Sequence, residues 1–312
     1  MSEAIVEVED PGPRATVQDL GRPGYAQLGV GRSGAADRGA LRLANRLVGN
    51  PEGVAALELT LGGLRARFHG PALVAVTGAP CRVDVLGDDR SGEQEPNNNR
   101  PDATREPRPP RADGGMDAPF HVRPGQTLSI GVPWHGLRSY VAVRGGIDVP
   151  PVLGSRSTDT LSGIGPPVLA AGTALRIGDE TAAFPTTDLA VERRPPAGAP
   201  FPIRLGPRED WFTPRAIATL VSQPYTVRPE TDRVGARLDG PALERRWSAE
   251  LRSEGMVLGA LQVPPDGRPI LFLADHPVTG GYPVIAVLRP DGLDRAAQLR
   301  PGDGIRFRLS RR

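Results

Sequence analysis

The chain has 312 residues, 38% of them hydrophobic and 24% charged, the balance of a globular protein rather than a disordered one. All 38 basic residues are Arg, 36 residues are acidic and the net charge is only +2 with both signs interspersed, which argues against a nucleic-acid partner. The lack of Lys excludes a Walker-type phosphate loop, a single cysteine, Cys81, excludes an internal disulfide and a Cys-based zinc site, and no window approaches the roughly 18 apolar residues of a membrane span.

Gly and Pro contribute 39 and 35 residues, about twice their average usage. The composition therefore predicts many turns, short strands and few short helices, a mostly β fold. Its length lies at the limit of a single hydrophobic core, so two lobes are expected. Residues 1–9 carry neither a basic nor an apolar leader pattern, and the cytoplasm is the expected location.

Ile5, Val6 and Val8 alternate with acids and read as a strand, closed by Asp10-Pro11-Gly12-Pro13. Gly21 to Gly34 reads as a long loop with too little apolar side chain to bury itself. Leu41, Ala44, Leu47 and Val48 recur at helical spacing and predict a helix over Arg38–Val48, ended by Gly49-Asn50-Pro51. Strand-turn-strand patterns follow from Ala55 to Val85, with Cys81 as a packed side chain. Gly87–Gly115, rich in Asn, Pro and Arg, is too polar to offset its ordering entropy and reads as a mobile surface insertion.

Three pieces share one form: Arg123-Pro124-Gly125-Gln126, Ala171-Gly172-Thr173 and Arg300-Pro301-Gly302-Asp303 each lead into an alternating strand, which suggests equivalent turns. A Pro- and Ala-rich stretch at 181–201 divides the chain into an N-terminal lobe at 1–180, containing the 87–115 insertion, and a C-terminal lobe at 202–312. The second lobe is expected to hold a short helix at Pro214–Val221 and strands at Met256–Val263, Pro269–Leu273, Val284–Val287 and Ile305–Leu309. Pro290-Asp291-Gly292 reads as a turn between strands.

The motifs of chemistry are sparse. Gly29-Val30-Gly31-Arg32-Ser33-Gly34 fits a dinucleotide fingerprint but lacks the surrounding βαβ pattern. As a loop entering the helix near Asp37 it could still offer N–H groups to an anion. His69, His121, His135 and His276 never approach metal-pair spacing, so no metal site is expected. Ser155-Arg156-Ser157-Thr158 reads as an ordinary hydroxyl-rich turn. Gln262 interrupts an apolar strand, where its amide must find partners. Asp275 ends the apolar run Leu271–Ala274, either as a substrate contact or as a turn cap.

Several longer motifs resemble one family. They include Thr16–Tyr25, Ser33–Asp37, Ala44–Asn50, Leu57-Glu58-Leu59-Thr60, Tyr140–Pro150, Leu153–Thr158, Thr231–Leu238, Gln262-Val263-Pro264 and Gly280-Gly281-Tyr282-Pro283. Together, and in this order, they are similar to the carboxyltransferase family that includes allophanate hydrolase subunit 2, KipA and the C-type component of 5-oxoprolinase. The resemblance implies two cyclophilin-like β-barrel lobes. It also implies a KipI or 5-oxoprolinase B-type partner and a LamB/YcsF-type A component, in a complex that uses ATP with Mg to open 5-oxoproline to glutamate.

Two alternatives go with the resemblance. One is a carboxyltransferase component working with biotin on urea or an amide; the other is a KipA-like regulatory protein that binds a KipI-type partner. Two departures are visible: the Gly87–Gly115 insertion is long for the family, and Gly163–Leu169 lacks a Gly-Arg usual there.

Opening a lactam requires activating a resonance-stabilised amide and anchoring the substrate carboxylate, a task suited to Arg. Arg22, Arg138 and Arg233 are the candidate anchors. Asp19, Asp232 and Asp275 are candidates for orienting or proton-transfer roles, with Gln262 and Tyr282 as hydrogen-bonding groups.

Overall fold

A computed structural model describes residues 5–87, 115–185, 189–190 and 198–310. The interior of the 87–115 insertion and most of the centre of the 181–201 stretch lie outside the described residues.

Eleven strands build the first lobe: β1 (Ile5–Pro11), β2 (Arg14–Gln18), β3 (Ala56–Thr60), β4 (Leu64–Phe68), β5 (Ala72–Gly78), β6 (Val83–Leu86), β7 (Pro119–Val122), β8 (Thr127–Ile130), β9 (Arg138–Val143), β10 (Gly145–Asp148) and β11 (Ala174–Glu180). They form a six-stranded sheet in the order β10, β11, β1, β4, β8, β6 and a five-stranded sheet in the order β2, β3, β9, β5, β7. The chain passes between the sheets at sharp corners. Only Gly12 and Pro13 separate β1 from β2, and only Arg144 separates β9 from β10. At Gly12 the backbone is left-handed (φ +67°) and a Cβ would lie 2.2 Å from the Gly62 carbonyl oxygen, so only glycine can turn this corner.

Between the sheets lies a core of Val, Leu, Ile and Phe that includes Val8, Leu57, Leu59, Val74 and Val141. The five-stranded sheet is covered on its other face too. Helix α1 (Arg38–Leu47) lays Leu41, Ala44 and Leu47 against Ala75, Tyr140 and Ala142. Strand alternation then decides where the polar residues go. Leu57 and Leu59 face the inter-sheet core, so Glu58 faces the helix side with Ala56; Val141 and Val143 do the same, which turns Arg138 and Tyr140 outward alongside it.

The second lobe contains β12 (Phe201–Leu205), α2 (Pro214–Ser222), β13 (Tyr225–Val227), β14 (Gly235–Asp239), β15 (Glu254–Gly255), β16 (Ala260–Gln262), β17 (Ile270–Phe272), β18 (Thr279–Gly280), β19 (Val284–Leu288), α3 (Pro290–Ala296), β20 (Gly304–Ile305) and β21 (Phe307–Leu309). Eight strands form one sheet in the order β20, β13, β14, β17, β16, β19, β12, β21, and β15 pairs with β18. The two edges of the large sheet, β20 and β21, are separated only by Arg306. One short segment thus pairs on both sides, antiparallel to β13 and parallel to β12, and the sheet closes into a barrel without free edges.

The three look-alike turns are equivalent. Gly125, Gly172 and Gly302 have φ of 83°, 83° and 91°. The side chain after each glycine (Gln126, Thr173, Asp303) accepts a bond from the N–H that opens the turn, at Arg123, Ala170 and Arg300. Each glycine N–H also donates to a neighbouring strand residue (Phe68, Val8, Val227), whose own N–H returns a bond to the carbonyl of the residue after the glycine.

The fold is mostly β with short helices, as the sequence predicts, and differs in detail. Pro290-Asp291-Gly292 opens α3 rather than a turn, because Pro at N1 is preset for a helix. The expected Met256–Val263 and Ile305–Leu309 strands are shorter or broken, at 260–262 and on either side of Arg306. Parts of the expected linker dock on the first lobe: Phe184 stacks under Arg144, and Ala190 packs beside α1. No helix among the described residues is long and apolar enough to cross a membrane.

Phe307 is buried in the second core and meets Tyr225 at 6.1 Å between ring centroids. Phe307→Ala is expected to cost about 3–5 kcal/mol in urea unfolding; a loss under about 1 kcal/mol would show that barrel closure does not depend on this anchor.

Candidate functional site

The two lobes meet through polar groups rather than a shared apolar core. Glu58 on β3 and Arg138 on β9 come from the first lobe; Arg233, just before β14, and Asp275, just after β17, come from the second. All four are buried. Arg233 donates to Glu58 Oε1, to the Gly34 carbonyl and to both Asp275 oxygens, at 2.9 and 3.0 Å for the last pair. Glu58 also accepts from the Tyr140 hydroxyl at 2.7 Å and from Ala36 N at 2.9 Å, while Arg138 Nε lies 3.5 Å from Glu58 Oε1.

Two cations and two anions balance, and the carboxylates are well satisfied. Burial alone would raise the pKa of Glu58, but Arg233 and Arg138 outweigh it and hold the acid below its ordinary value. Asp275 is lowered in the same way, burial being overcome by Arg233, Ser33 and Thr160. For Arg233, burial is outweighed by the two carboxylates and its pKa rises. Arg138 is lowered, because burial there exceeds the pull of Glu58.

Further contacts tie the lobes at α1. Asp294 on α3 accepts from the N–H groups of Arg38 and Gly39, and the Asp37 side chain caps Ala40 N. The helix N-terminus is therefore occupied by protein carboxylates, which corrects the expectation that the Gly-rich loop delivers it to an anion. Gln298 accepts from Leu137 N and Arg138 N and donates to Asp37 Oδ2.

The loop from Gly21 to Gly34 leaves Pro23 to Arg32 unburied, as its composition predicts, and is anchored at its two ends. Arg22 and Ser33 are fully buried within it. Ser33 holds a left-handed backbone (φ 52°) and its hydroxyl donates to Asp275 Oδ1 at 2.7 Å. Such a conformation costs of order 1 kcal/mol in a non-glycine residue, offset here by the buried bond. Residues 155–160 run alongside as a polar strap. Asp19 accepts from the Ser155 and Ser157 hydroxyls and from Arg156 N, and Asp275 accepts from Thr160 N and Oγ1. The hydroxyl-rich turn Ser155–Thr158 is thus a turn tied to Asp19 within the first lobe, and Thr160 just after it makes the contact with the second lobe.

Next to this contact a cavity of about 260 Å³ opens between the lobes. Arg22, Tyr25, Arg32 and Arg38 line one side, and Met256, Ala274 and His276 the other. No acidic side chain lines it. Arg22 is fixed by Ser157 O and Val152 O, yet its Nη1 is buried without a hydrogen-bond partner, as is Nε of Arg38. Burial and the nearby Arg32 push the Arg38 pKa down to about 10, and it remains a cation at neutral pH. A small cavity lined by three arginines and no acid suits an anion, above all a carboxylate.

Of the eight residues nominated from sequence, Arg22 alone lines this cavity. Asp19 orients the strap beneath it. Arg138, Arg233 and Asp275 are joined in the buried charge cluster. Gln262 is buried and donates to the Tyr282 carbonyl; the Tyr282 side chain is largely exposed near Arg245. Asp232 is exposed and caps Val234 N and Gly235 N. Glu58, Arg32, Arg38 and His276 were not nominated, and only Glu58 gave a signal, a carboxylate inside the apolar run Leu57–Leu59. Among the described residues no group of three His, Cys, Asp or Glu side chains gathers to hold a metal.

The carboxyltransferase domain, subdomain A and B, matches residues 28–309. The chain belongs to this family. It is 36% identical to the C subunit of 5-oxoprolinase from Escherichia coli (strain K12) over 307 residues, covering 97% of this chain and 90% of that protein. The Haemophilus influenzae counterpart, also a 5-oxoprolinase C subunit, is 33% identical, again over 97% and 90%. Urea amidolyase of Lachancea kluyveri is 32% identical over 96% of this chain but only 17% of its own length. Among solved structures, TTHA0988 superposes with a TM-score of 0.80 at 34% identity, covering 98% of this chain, which spans 56% of that one. The Kluyveromyces lactis urea amidolyase gives 0.81 at 28% identity, over 98% of this chain and 19% of that one.

The depressed acids make stability depend on pH. Glu58 and Asp275 have folded values below their ordinary 4.5 and 3.8, so the unfolded chain binds more protons as acid is added. Their contribution is complete above about pH 4.5 and is lost as pH falls through the lower folded values. The melting temperature is expected to fall steeply below that pH. Glu58→Gln should start about 3–5 kcal/mol less stable at pH 7 and lose less on acidification; equal acid sensitivity in both proteins would remove Glu58 from this role.

Proposed function

We propose that this chain is the C-type component of an ATP-dependent 5-oxoprolinase complex, working in the cytoplasm with B-type and A-type partners, and that the inter-lobe cavity takes the substrate carboxylate. The observation that carries the reading is a cavity between the lobes lined by Arg22, Arg32 and Arg38 and by no acid. Its volume lies just under the range of about 300–1,000 Å³ typical of ligand sites and suits a compact molecule. Similarity to two 5-oxoprolinase C subunits over 90% of their length supports the same substrate class.

Within this reading the chain's residues bind and orient. Arg22, held in place by Ser157 and Val152, provides the fixed half of a carboxylate grip; Arg32 and Arg38 add positive charge that draws the anion in. ATP with its Mg would supply the activation that makes the lactam carbonyl open to water, and the groups that bind its phosphates and its metal are assigned to the assembled complex. A second reading is favoured by the urea amidolyase similarity: a carboxyltransferase component acting on an amide with biotin as carboxyl carrier. The first is preferred because the amidolyases match over only a small part of their length.

Glutamate release from 5-oxoproline with ATP, each component omitted in turn, tests the proposal. The full set should be active and this chain alone inactive. Arg22→Met should raise KM about tenfold or more, the scale of one charged hydrogen bond, with Arg32→Met giving a smaller rise and an unchanged melting temperature. Activity of the chain alone, or full activity without it, would refute the shared-site reading. Carboxylation driven by a biotinylated partner would install the second, and inactivity in both assays would favour a KipA-like regulatory role.

A further inference from the structure

The cavity's donors and acceptors are unequally distributed. Its arginines only donate. Apart from the Tyr25 hydroxyl and the Met256 thioether, the one side-chain acceptor in the lining is His276. The His276 ring is held by a short contact, Nδ1 to the Pro277 carbonyl at 2.8 Å. A carbonyl can only accept, so Nδ1 carries the proton. In the neutral ring Nε2 is then an acceptor, and it has no hydrogen-bond partner among the described residues. Burial lowers the pKa of the ring, with Arg38 acting in the same direction against the Pro277 carbonyl, Asp275 and Asp159, so the neutral form prevails at neutral pH.

A ligand that satisfies this cavity therefore presents acceptors to the arginines and an N–H to His276. Building on the carboxylate site proposed above, we infer that His276 is a specificity-determining residue whose Nε2 accepts the ring N–H of a cyclic amide carrying a carboxylate on the adjacent carbon. In 5-oxoproline the ring nitrogen is bonded to the carbon that bears the carboxylate, so one edge of the molecule offers both groups. The corresponding lactone has a ring oxygen in that place. Its lone pairs would face the Nε2 lone pair, and an unpaired buried acceptor is a strong basis for rejection. The site thereby tells an amide ring from an ester ring of the same shape before any bond is broken.

The test is titration calorimetry at pH 8 with the full-length chain, and in parallel with the assembled complex, using 5-oxoproline and its lactone analogue, 5-oxotetrahydrofuran-2-carboxylate. Wild type should bind the lactam about tenfold or more tightly than the lactone. His276→Leu should bring the ratio close to one, weakening the lactam by loss of its N–H partner and strengthening the lactone by removal of the opposed lone pair. His276→Gln, whose amide oxygen reaches towards the Nε2 position, should keep part of the preference. Equal binding of both ligands to wild type, or an unchanged ratio in His276→Leu, would overturn the assignment and leave the carboxylate site standing. Binding of neither ligand to chain or complex would overturn both.

Discussion

Arg233 is the residue on which the architecture turns. Its guanidinium crosses from the second lobe to meet Glu58, 175 positions away in sequence, while remaining bidentate to Asp275 of its own lobe and reaching the Gly34 carbonyl. Desolvating four charges is expensive, and ion pairs of this kind add little net stability over a well-packed apolar replacement. What they do add is a unique geometry: each carboxylate is satisfied only when β3, the loop ending at Gly34 and the start of β14 stand in one arrangement. The apolar contact beside them is slight, just Ala36, Ala274 and Ala297, and small side chains let the polar groups approach.

The same arrangement creates the cavity. Asp275 holds Thr160, the strap from Thr160 back to Ser155 holds Asp19, and the Ser157 carbonyl holds Arg22. The arginine that faces the cavity is thus fixed by a chain of buried hydrogen bonds that begins at the inter-lobe ion pair. Charge is balanced inside the cluster and unbalanced in the cavity next to it. A site of this kind is preorganised, because the cost of placing the cation is met on folding rather than on binding.

Much of the fold was legible because it is local. Alternation along β1, β3 and β5, the helical spacing of α1 and the three glycine turns each depend on a few adjacent residues. The barrel closure through 304–309 was not, since β20 and β21 pair with β13 and β12 far away in sequence, and β13 and β14, which pair with each other, are too short and polar to show alternation. The site divides on the same line. Arg22, Arg233 and Asp275 stood out as charged residues within apolar or glycine-rich motifs, but nothing local distinguishes a charge aimed at a ligand from one aimed at the other lobe. Arg32 and Arg38 look like surface arginines in a chain whose only strong bases are arginines. His276 becomes informative only when its Nδ1 is seen against the Pro277 carbonyl.

The most direct check on the central role of Arg233 is a double-mutant cycle with Glu58, measured by urea unfolding of wild type, Glu58→Gln, Arg233→Met and the double variant. If one buried pair sets the lobe geometry, each single change should cost about 3–5 kcal/mol and the double change little more than either alone. Additive losses, or a first lobe that unfolds with the wild-type midpoint when Arg233 is replaced, would contradict the account.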